Sequence, residues 1–226
     1  MIHSTKSVLL AGVFTAAGLA ACSRATQQAS ASGPAMTPAE LVASQKGIEP
    51  YTAADVRFMT GMIGHHAQAV LIAGWAKSHG ASPSVAGLCE RIVVGQRDEI
   101  ALMSRWLSDR KLPVPSADAS HMMMPGMAMD HSAMMPGMLT AEQLAELDKA
   151  RGADWDRLFL KDMIQHHRGA ISMVEQLFAS YGAAQDDQIY KFATDVNVDQ
   201  TTEIDRMTQM LSAMDAGRAG GTRNPQ

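Results

Sequence analysis

Two short stretches of this 226-residue sequence place a methionine and two adjacent histidines where they could bind a metal ion together. Residues 62–66 read Met-Ile-Gly-His-His, and residues 163–167 read Met-Ile-Gln-His-His. On an α-helix, side chains three and four positions apart lie on one face, so each thioether and both imidazoles can point toward one patch. The candidate ligands from these stretches are Met62, His65, His66, Met163, His166 and His167.

The chemistry of these donors favours copper. Thioether sulfur is a soft, neutral ligand and imidazole is a borderline one, so together they favour Cu(I) over Mg²⁺, Ca²⁺ or Mn²⁺. Zinc would draw on cysteine, or on more histidine and carboxylate. Cu(II) is the alternative oxidation state, and it could combine the histidines with carboxylates from Asp55, Asp156, Glu99 or Glu203.

A packing interpretation competes with metal binding. Methionine on an apolar helical stripe is common core filler, and a buried histidine is commonly hydrogen-bonded. The two stretches match in register at an offset of 101 residues, with Asp55 on Asp156 and Phe58 on Phe159. Because packing alone requires apolar volume and not a doublet of imidazoles, the repetition favours metal ligation.

A second motif also occurs twice. The pattern Gln-x-x-Glu-Ile-x-x-Met covers residues 96–103 and 200–207, at an offset of 104 residues. Its last positions, Met103 and Met207, are further thioether candidates. The small difference between the two offsets is a length change that a turn tolerates. The chain is therefore a duplicated helical hairpin.

Between the two halves, residues 121–138 hold eight methionines and two histidines, and Met-Pro-Gly-Met occurs there twice. Proline and glycine at this density predict a loop. Exposed thioethers cost solubility unless something binds them, so we expect a flexible metal collector of lower specificity. A low-complexity linker or an apolar contact for a protein partner is the alternative. The candidate ligands here are His121, Met124, Met127, His131, Met135 and Met138.

Each hairpin is too thin to bury its apolar stripe alone, so we predict an all-α fold, a four-helix bundle built from the two hairpins. Start signals at Thr52, Pro83 and Thr140 position the helices. The predicted long helices cover residues 52–80, 82–110, 154 onward and 186–214, with short helices at 37–47 and after residue 140.

The N-terminus reads as an export signal, because Lys6 precedes an apolar stretch too short to span a bilayer. Residues 19–22, Leu-Ala-Ala-Cys, resemble the lipobox of bacterial lipoproteins. By that resemblance Cys22 carries lipid and anchors the protein to a membrane. The predicted location is the cell envelope or periplasm. An ordinary signal peptide with an incidental thiol is the alternative. The remaining thiol, Cys89, fits a small buried apolar group better than a ligand.

The predicted organisation follows from these features in chain order. It comprises a signal peptide at 1–21, a tether with a short helix at 22–49, the first hairpin at 50–110, the Met/His-rich loop at 111–140, the second hairpin at 141–216 and a disordered tail at 217–226.

Several function classes are disfavoured. The formal charge of −4 argues against nucleic-acid binding, which requires a basic patch. No phosphate-binding loop, Gly-x-Ser-x-Gly elbow or HExxH motif occurs, so we do not expect an enzyme. A ferritin-like di-iron oxidase would need Glu-x-x-His on two helices, whereas Met62 and Met163 stand where those glutamates would be.

Both halves resemble the bacterial family called domain of unknown function 305, whose signature is an Asp, a Phe and Met-Ile-x-His-His. The matching positions include Asp55, Phe58 and residues 62–66, repeated in the second half, and the later Gln-x-x-Glu-Ile-x-x-Met. The resemblance covers roughly residues 50–214 and implies a secreted ferritin-like bundle. Some members of the family are associated with copper binding and copper resistance. Gly61 and Gly64 depart from the second copy, which implies a looser first site or a closely approaching partner helix.

These observations lead to two hypotheses. The first is an envelope lipoprotein that binds Cu(I), and also Cu(II), for sequestration or transfer to a copper-exchanging protein. The second is a structural or adaptor module whose Met-rich loop docks a protein partner and whose histidines only pack. Approach of the four histidines to Met side chains across helices would favour the first, and dispersal of the histidines on separate faces would favour the second.

Overall fold

The computed structural model describes residues 51–119 and 135–221, with side chains through residue 217. The predicted signal peptide, the lipidation site Cys22 and the tether lie outside the described residues, as do the loop candidates His121, Met124, Met127 and His131. The described part is all-α, as predicted, and its helices are α1 (Ala53–Ala73), α2 (Pro83–Asp109), α3 (Ala141–Lys149), α4 (Gly152–Ala179) and α5 (Asp187–Gly221).

Local sequence signals set the helix starts. Thr52 caps α1 in a reciprocal capping box with Asp55, and Thr140 caps α3 in the same way with Gln143. These boxes satisfy amide groups that the first helical turn would leave without partners. Pro83 begins α2, where its missing N–H costs nothing.

Two helix ends differ from the predicted ones. The first helix ends at Ala73 instead of near residue 80, because Gly74 leads into a series of turns that closes at Gly80 with a φ of +73°. The last helix continues to Gly221, so residues 217–221 are helical where we predicted a disordered tail. No helix in the described ranges combines the length and the apolar character that crossing a bilayer requires.

The helices pack as two hairpins, and the first helix of one hairpin contacts the first helix of the other. Helix α1 packs along α2, α4 packs along α5, and α1 also contacts α4, while the short α3 rests on α4. Each hairpin hides the apolar stripe of the other, which is why a duplicated hairpin forms one bundle.

The core consists of two apolar clusters with a polar layer between them. Along α1, members of the first cluster end at Ile63 and members of the second begin at Ala69. Along α4 the order is reversed, with the second cluster ending at Ile164 and the first beginning at Ala170. The gap between the clusters on each helix is occupied by a His-His pair.

A buried aspartate from each half fixes a turn of the other half. Asp55 accepts a hydrogen bond from the backbone N–H of Ala184, 2.7 Å away, and Asp156 accepts from the N–H of Ser82 at 3.2 Å. Each carboxylate is at most 2% exposed. These crossed contacts hold the two hairpins in register.

Replacing Asp55 by Ala tests this crossed contact. The variant leaves the buried Ala184 N–H without a partner and also removes the capping box with Thr52, so we expect a loss of at least about 1–3 kcal/mol in the free energy of unfolding. Urea denaturation followed by circular dichroism measures it. The control is Asp205→Ala, at an exposed position on α5, where we expect a change within about 0.5 kcal/mol. Equal stability of the two variants would contradict the role of the crossed contact.

Candidate metal centre

The four motif histidines converge at the centre of the bundle. His65, His66, His166 and His167 are all fully buried, and we call them the histidine layer. The rings of His65 on α1 and His166 on α4 lie with their centroids 3.8 Å apart and tilted by 40°. Within each helix the neighbouring rings are 6.3 Å and 6.2 Å apart. The sequence motif therefore predicted residues that the fold brings together.

Glutamates on α2 and α5 form hydrogen bonds with two of these histidines. The Nε2 of His66 donates to Oε2 of Glu99 at 2.7 Å, and the Nε2 of His167 donates to Oε2 of Glu203 at 2.6 Å. Since a carboxylate only accepts, this bond selects in the neutral imidazole the tautomer whose Nδ1 carries the lone pair. A carboxylate behind a histidine is the usual arrangement behind metal-ligating imidazoles.

Five ring nitrogens of the histidine layer have no hydrogen-bond partner among the described residues. They are Nδ1 of His65, His66 and His167, and both nitrogens of His166. An unpaired buried polar atom costs about 1–3 kcal/mol, so such a group is uncommon in a core that serves only packing. Free imidazole nitrogens are ligands for copper, zinc, iron and nickel, and the layer therefore fits a metal ion by its donor chemistry.

Burial keeps two of these imidazoles neutral. Desolvation, together with the nearby His66, lowers the pKa of His65 from its ordinary value of 6.5 to about 3. Desolvation also lowers the pKa of His166 well below its ordinary value, and the neighbouring His65 and His167 act in the same direction. Near neutral pH a metal ion would not have to displace a proton from either ring.

The second Met-Pro-Gly-Met repeat returns from the loop and lies on the histidine layer. We call residues 135–139 the strap. The Nε2 of His65 donates to the carbonyl of Pro136 at 3.0 Å. The side chain of Gln68 holds Leu139 at two points, accepting from its N–H at 2.8 Å and donating to its carbonyl at 3.1 Å.

The strap packs closely against α1 and α4 at positions where these helices have glycine. A methyl group on Gly169 of α4 would lie 1.9 Å from the carbonyl oxygen of Pro136, so only glycine permits this contact. Gly137, with a φ of +77°, lies against Gly169 in turn. On α1, a methyl group on Gly61 would lie 3.1 Å from the Met135 sulfur. Gly61 therefore makes room for the strap and also faces Met173 of the neighbouring helix α4, while Gly64 faces Met135.

The predicted thioether ligands lie on both sides of the histidine layer. Met62 and Met103 belong to the first apolar cluster, and Met163 and Met207 belong to the second. All four are fully buried. Their role as ligands stays a prediction, since the same positions also serve as core packing.

A methionine that sequence analysis missed lies beside the strap. Met173 of α4 reaches to 3.4 Å from a methyl group placed on Gly61, beside the predicted candidate Met135. The other strap candidate, Met138, is 5% exposed. Met173 lies one heptad after His166 on α4, but nothing in its local sequence separates it from an ordinary core methionine.

Two of the carboxylates considered for Cu(II) have a structural role instead. Asp55 lies ten residues before His65 on α1, about 15 Å along the helix axis. Asp55 and Asp156 instead accept hydrogen bonds from backbone amides in the turns. The prediction that they bind an ion in the histidine layer is therefore wrong. The other two carboxylates, Glu99 and Glu203, do reach the layer, and their role as ligands stays a prediction.

A groove of about 170 Å³ between α2 and α5 opens above these glutamates. Gln96 and Gln200 line it, each 3% exposed, and neither Oε1 has a hydrogen-bond partner in the described part of the chain. Burial raises the pKa of Asp199 at its rim, and the nearby Glu99, Asp195 and Glu203 raise it further. The groove therefore presents oxygen donors and negative charge on the outer side of the Glu–His pairs.

Cysteine does not contribute to this centre. Cys89 is 1% exposed and packs in the second apolar cluster, as predicted for a small buried apolar group. Burial raises the pKa of its thiol to about 12.

Within residues 51–119 and 135–217, no three His, Cys, Asp or Glu side chains are grouped so as to hold a metal ion by themselves.

Comparisons with known proteins agree with the fold. A family model described as Domain of unknown function (DUF305) matches residues 55–211. The structure of a DUF305 fragment from Deinococcus radiodurans is similar, with 26% identity and a TM-score of 0.61, covering 73% of this chain and 99% of that one. A DUF305 protein from Streptomyces coelicolor is also 26% identical, with a TM-score of 0.59, covering 72% and 94% of the two chains.

A third similar structure is that of CopM in a Cu(II)-bound form. It shares 29% identity with this chain at a TM-score of 0.56, covering 70% of this chain and 96% of CopM. CopM has also been solved in a Cu(I)-bound form, which is 27% identical with a TM-score of 0.53. A search of curated proteins found no match.

The lowered histidine pKa values predict a pH-dependent stability. The unfolded chain takes up protons on these imidazoles below about pH 6.5, whereas the folded chain resists them down to about pH 3 at His65. Stability contributed by the neutral rings is therefore present above pH 6.5 and is lost as the pH falls. Between pH 7 and pH 5 we expect a loss of about 2 kcal/mol from His65 alone.

Urea denaturation of the metal-free protein at several pH values measures this loss. The double variant His65→Gln/His166→Gln lacks both groups and should show a smaller decrease over the same range. If wild type and variant lost stability in parallel, these two histidines would not be buried in the neutral form.

Proposed function

The chain belongs to the DUF305 family, and from its histidine layer we propose that it is an extracytoplasmic copper-binding protein with Cu(I) as its preferred ion. The observation that carries the proposal is the set of unpartnered ring nitrogens in a fully buried layer. Each unpartnered nitrogen is a potential ligand atom, and a bound cation would remove the cost of leaving it unpaired.

The surroundings of the layer favour a soft cation. Met62 and Met163 lie one helical turn before the histidines of their own helices, and the apolar clusters exclude water on either side. Neutral imidazole and thioether donors suit Cu(I) without adding negative charge to a buried site. That CopM has been solved with Cu(I) and with Cu(II) supports the same ion for this chain.

Cu(II) is supported by a separate feature of the site. Glu99 and Glu203 connect the histidines to the oxygen-rich groove between α2 and α5. Carboxylate and imidazole together suit Cu(II) better than thioether does. We propose that the groove side accepts Cu(II), while the interior favours Cu(I).

The compartment follows from the N-terminal sequence. A signal-peptide pattern before Cys22 supports export and lipid anchoring, and the similar Streptomyces coelicolor protein is provisionally described as secreted. Free thiols are readily oxidised outside the cytoplasm, whereas thioethers and imidazoles remain usable ligands there. A membrane-anchored copper binder would sequester the ion or pass it to a copper-exchanging protein in the same compartment.

We propose binding and not catalysis. The centre presents ligand atoms but pairs no nucleophile with a general base. A ferritin-like di-metal oxidase is a weaker candidate, although Glu99 and Glu203 reach the histidines from the outer helices as that class requires. It would also need bridging carboxylates, and Met62 and Met163 stand at those positions.

Removing the histidine layer tests the proposal. In the variant with His65, His66, His166 and His167 all changed to Gln, we expect Cu(I) affinity to fall by about tenfold or more. Competition with a Cu(I) chelator under anaerobic conditions measures it. The matched control is His79→Gln, a buried histidine outside the layer whose ring nitrogens are both hydrogen-bonded.

A variant lacking residues 121–134 separates the layer from the loop. The layer keeps its four histidines and the strap in this variant, so we expect one tightly bound Cu(I) to remain. If the loop deletion removed all Cu(I) binding while the quadruple histidine variant kept it, the layer would not be the copper site.

The lipid anchor has its own test. In Cys22→Ser, the thiol that would accept lipid is absent, and we expect the protein to move from the membrane fraction to the soluble envelope fraction. Fractionation with detection by immunoblot measures the shift, with Cys89→Ser as the matched control. A variant still extracted only by detergent would contradict anchoring at Cys22.

A further inference from the structure

The strap makes the two halves of the bundle chemically different at one place. A pocket of about 260 Å³ lies over Gly61 and is lined by Met135 of the strap and Met173 of α4, with Arg57 at its edge. A methyl group on Gly61 would lie 3.1 Å from the Met135 sulfur and 3.4 Å from the Met173 terminal methyl. The two thioether side chains therefore both line the space above this glycine.

The equivalent positions in the other half carry no thioether. At the offset of 101 residues, Gly61 corresponds to Asp162 and Met173 corresponds to Ile72. The duplicated helices alone therefore do not produce this pocket. It exists because one half has a glycine and because the strap adds a methionine from the loop.

The strap is positioned by contacts that do not involve sulfur. Gln68 holds Leu139 by two hydrogen bonds, and the Pro136 carbonyl accepts from His65. The contact with Gly169 leaves no space for any side chain there. Met135 is therefore placed by backbone contacts within its own segment, and its thioether is available for another partner.

We propose that Met135 and Met173 form a thioether site that binds Cu(I) in the pocket over Gly61, beside the histidine layer. Two neutral sulfur donors suit a soft monovalent cation, and they would reject Mg²⁺ or Ca²⁺. The pocket reaches the surface, whereas the layer is buried, so an ion held here is next to His65 without crossing the apolar clusters. Gly169 and Gln68 are positioning residues for Met135. This inference rests on the proposed copper function and assigns that function a specific sulfur pair.

The test compares sulfur removal inside and outside the pair. Met135→Leu and Met173→Leu conserve volume and remove one sulfur each. The control, Met59→Leu, removes a fully buried sulfur from the same apolar cluster. With Cu(I) added to the purified full-length protein, we expect each pair variant to bind at least one ion about tenfold more weakly than the control does.

A second pair of variants tests the positioning. Gly169→Ala removes no donor but puts a methyl group into the Pro136 carbonyl, and it should weaken Cu(I) binding about as much as Met135→Leu does. Gly95→Ala is the control, because a methyl group there meets nothing within 4 Å. X-ray absorption of the bound copper should show fewer sulfur neighbours in Gly169→Ala than in Gly95→Ala.

The outcomes separate this inference from the proposed function. If Met135→Leu, Met173→Leu and Gly169→Ala all bind Cu(I) as their controls do, while the quadruple histidine variant does not, the thioether pair is overturned and the histidine layer stands. If wild type itself binds no Cu(I), both are overturned. Weaker binding in all three variants with the histidine layer intact supports the pair.

Discussion

Four fully buried imidazoles between two apolar clusters are the constraint on which the rest of this structure depends. Five of their ring nitrogens lack a partner among the described residues, at a cost of about 1–3 kcal/mol each. A core selected only for stability would fill this layer with leucine. The crossed aspartate contacts at the helix ends and the close pairing of α1 with α4 stabilise a bundle that accepts this cost at its centre. A stable framework around an unfavourable centre is typical of a binding site.

The duplication explains the symmetric part of the site and the strap explains the rest. Each half contributes a His-His pair and a glutamate that holds one of its imidazoles, so the two halves face each other as near copies. The strap, however, contacts α1 and α4 through different residues and so breaks this symmetry. It accepts from His65, while neither ring nitrogen of His166 has a hydrogen-bond partner within residues 51–119 and 135–217. The two central imidazoles therefore differ in their contact with the strap.

Much of the fold and the heart of the site could be predicted from the sequence. The repeat predicted two similar hairpins that pack into one bundle, and that packing brings His65 to His166. Helix starts at Thr52 and Thr140 followed from local capping chemistry, which depends only on nearby residues. Of the four carboxylates considered as Cu(II) ligands, the two glutamates of the second motif reach the histidines.

Long-range contacts could not be predicted in the same way. Asp55 and Asp156 stood in the repeat as possible ligands, and only the packed turns show that they hold amide groups. The docking of the strap depends on Gly169, whose missing side chain has no local signal in a helix that could equally well carry alanine. Met173 likewise became a candidate only once the strap placed Met135 beside it. Each of these depends on which surfaces meet, information that periodicity does not contain.

The most direct measurement is nitrogen-15 NMR of the histidine rings in the full-length protein, before and after one equivalent of Cu(I). Without metal, His65 and His166 should appear as neutral imidazoles near pH 6, with His65 protonated only at Nε2. On adding Cu(I), the Nδ1 signals of the layer should shift as they gain a ligand bond, while His79 stays unchanged. Rings that are protonated at pH 6, or layer signals that do not respond to Cu(I), would contradict a buried neutral copper site.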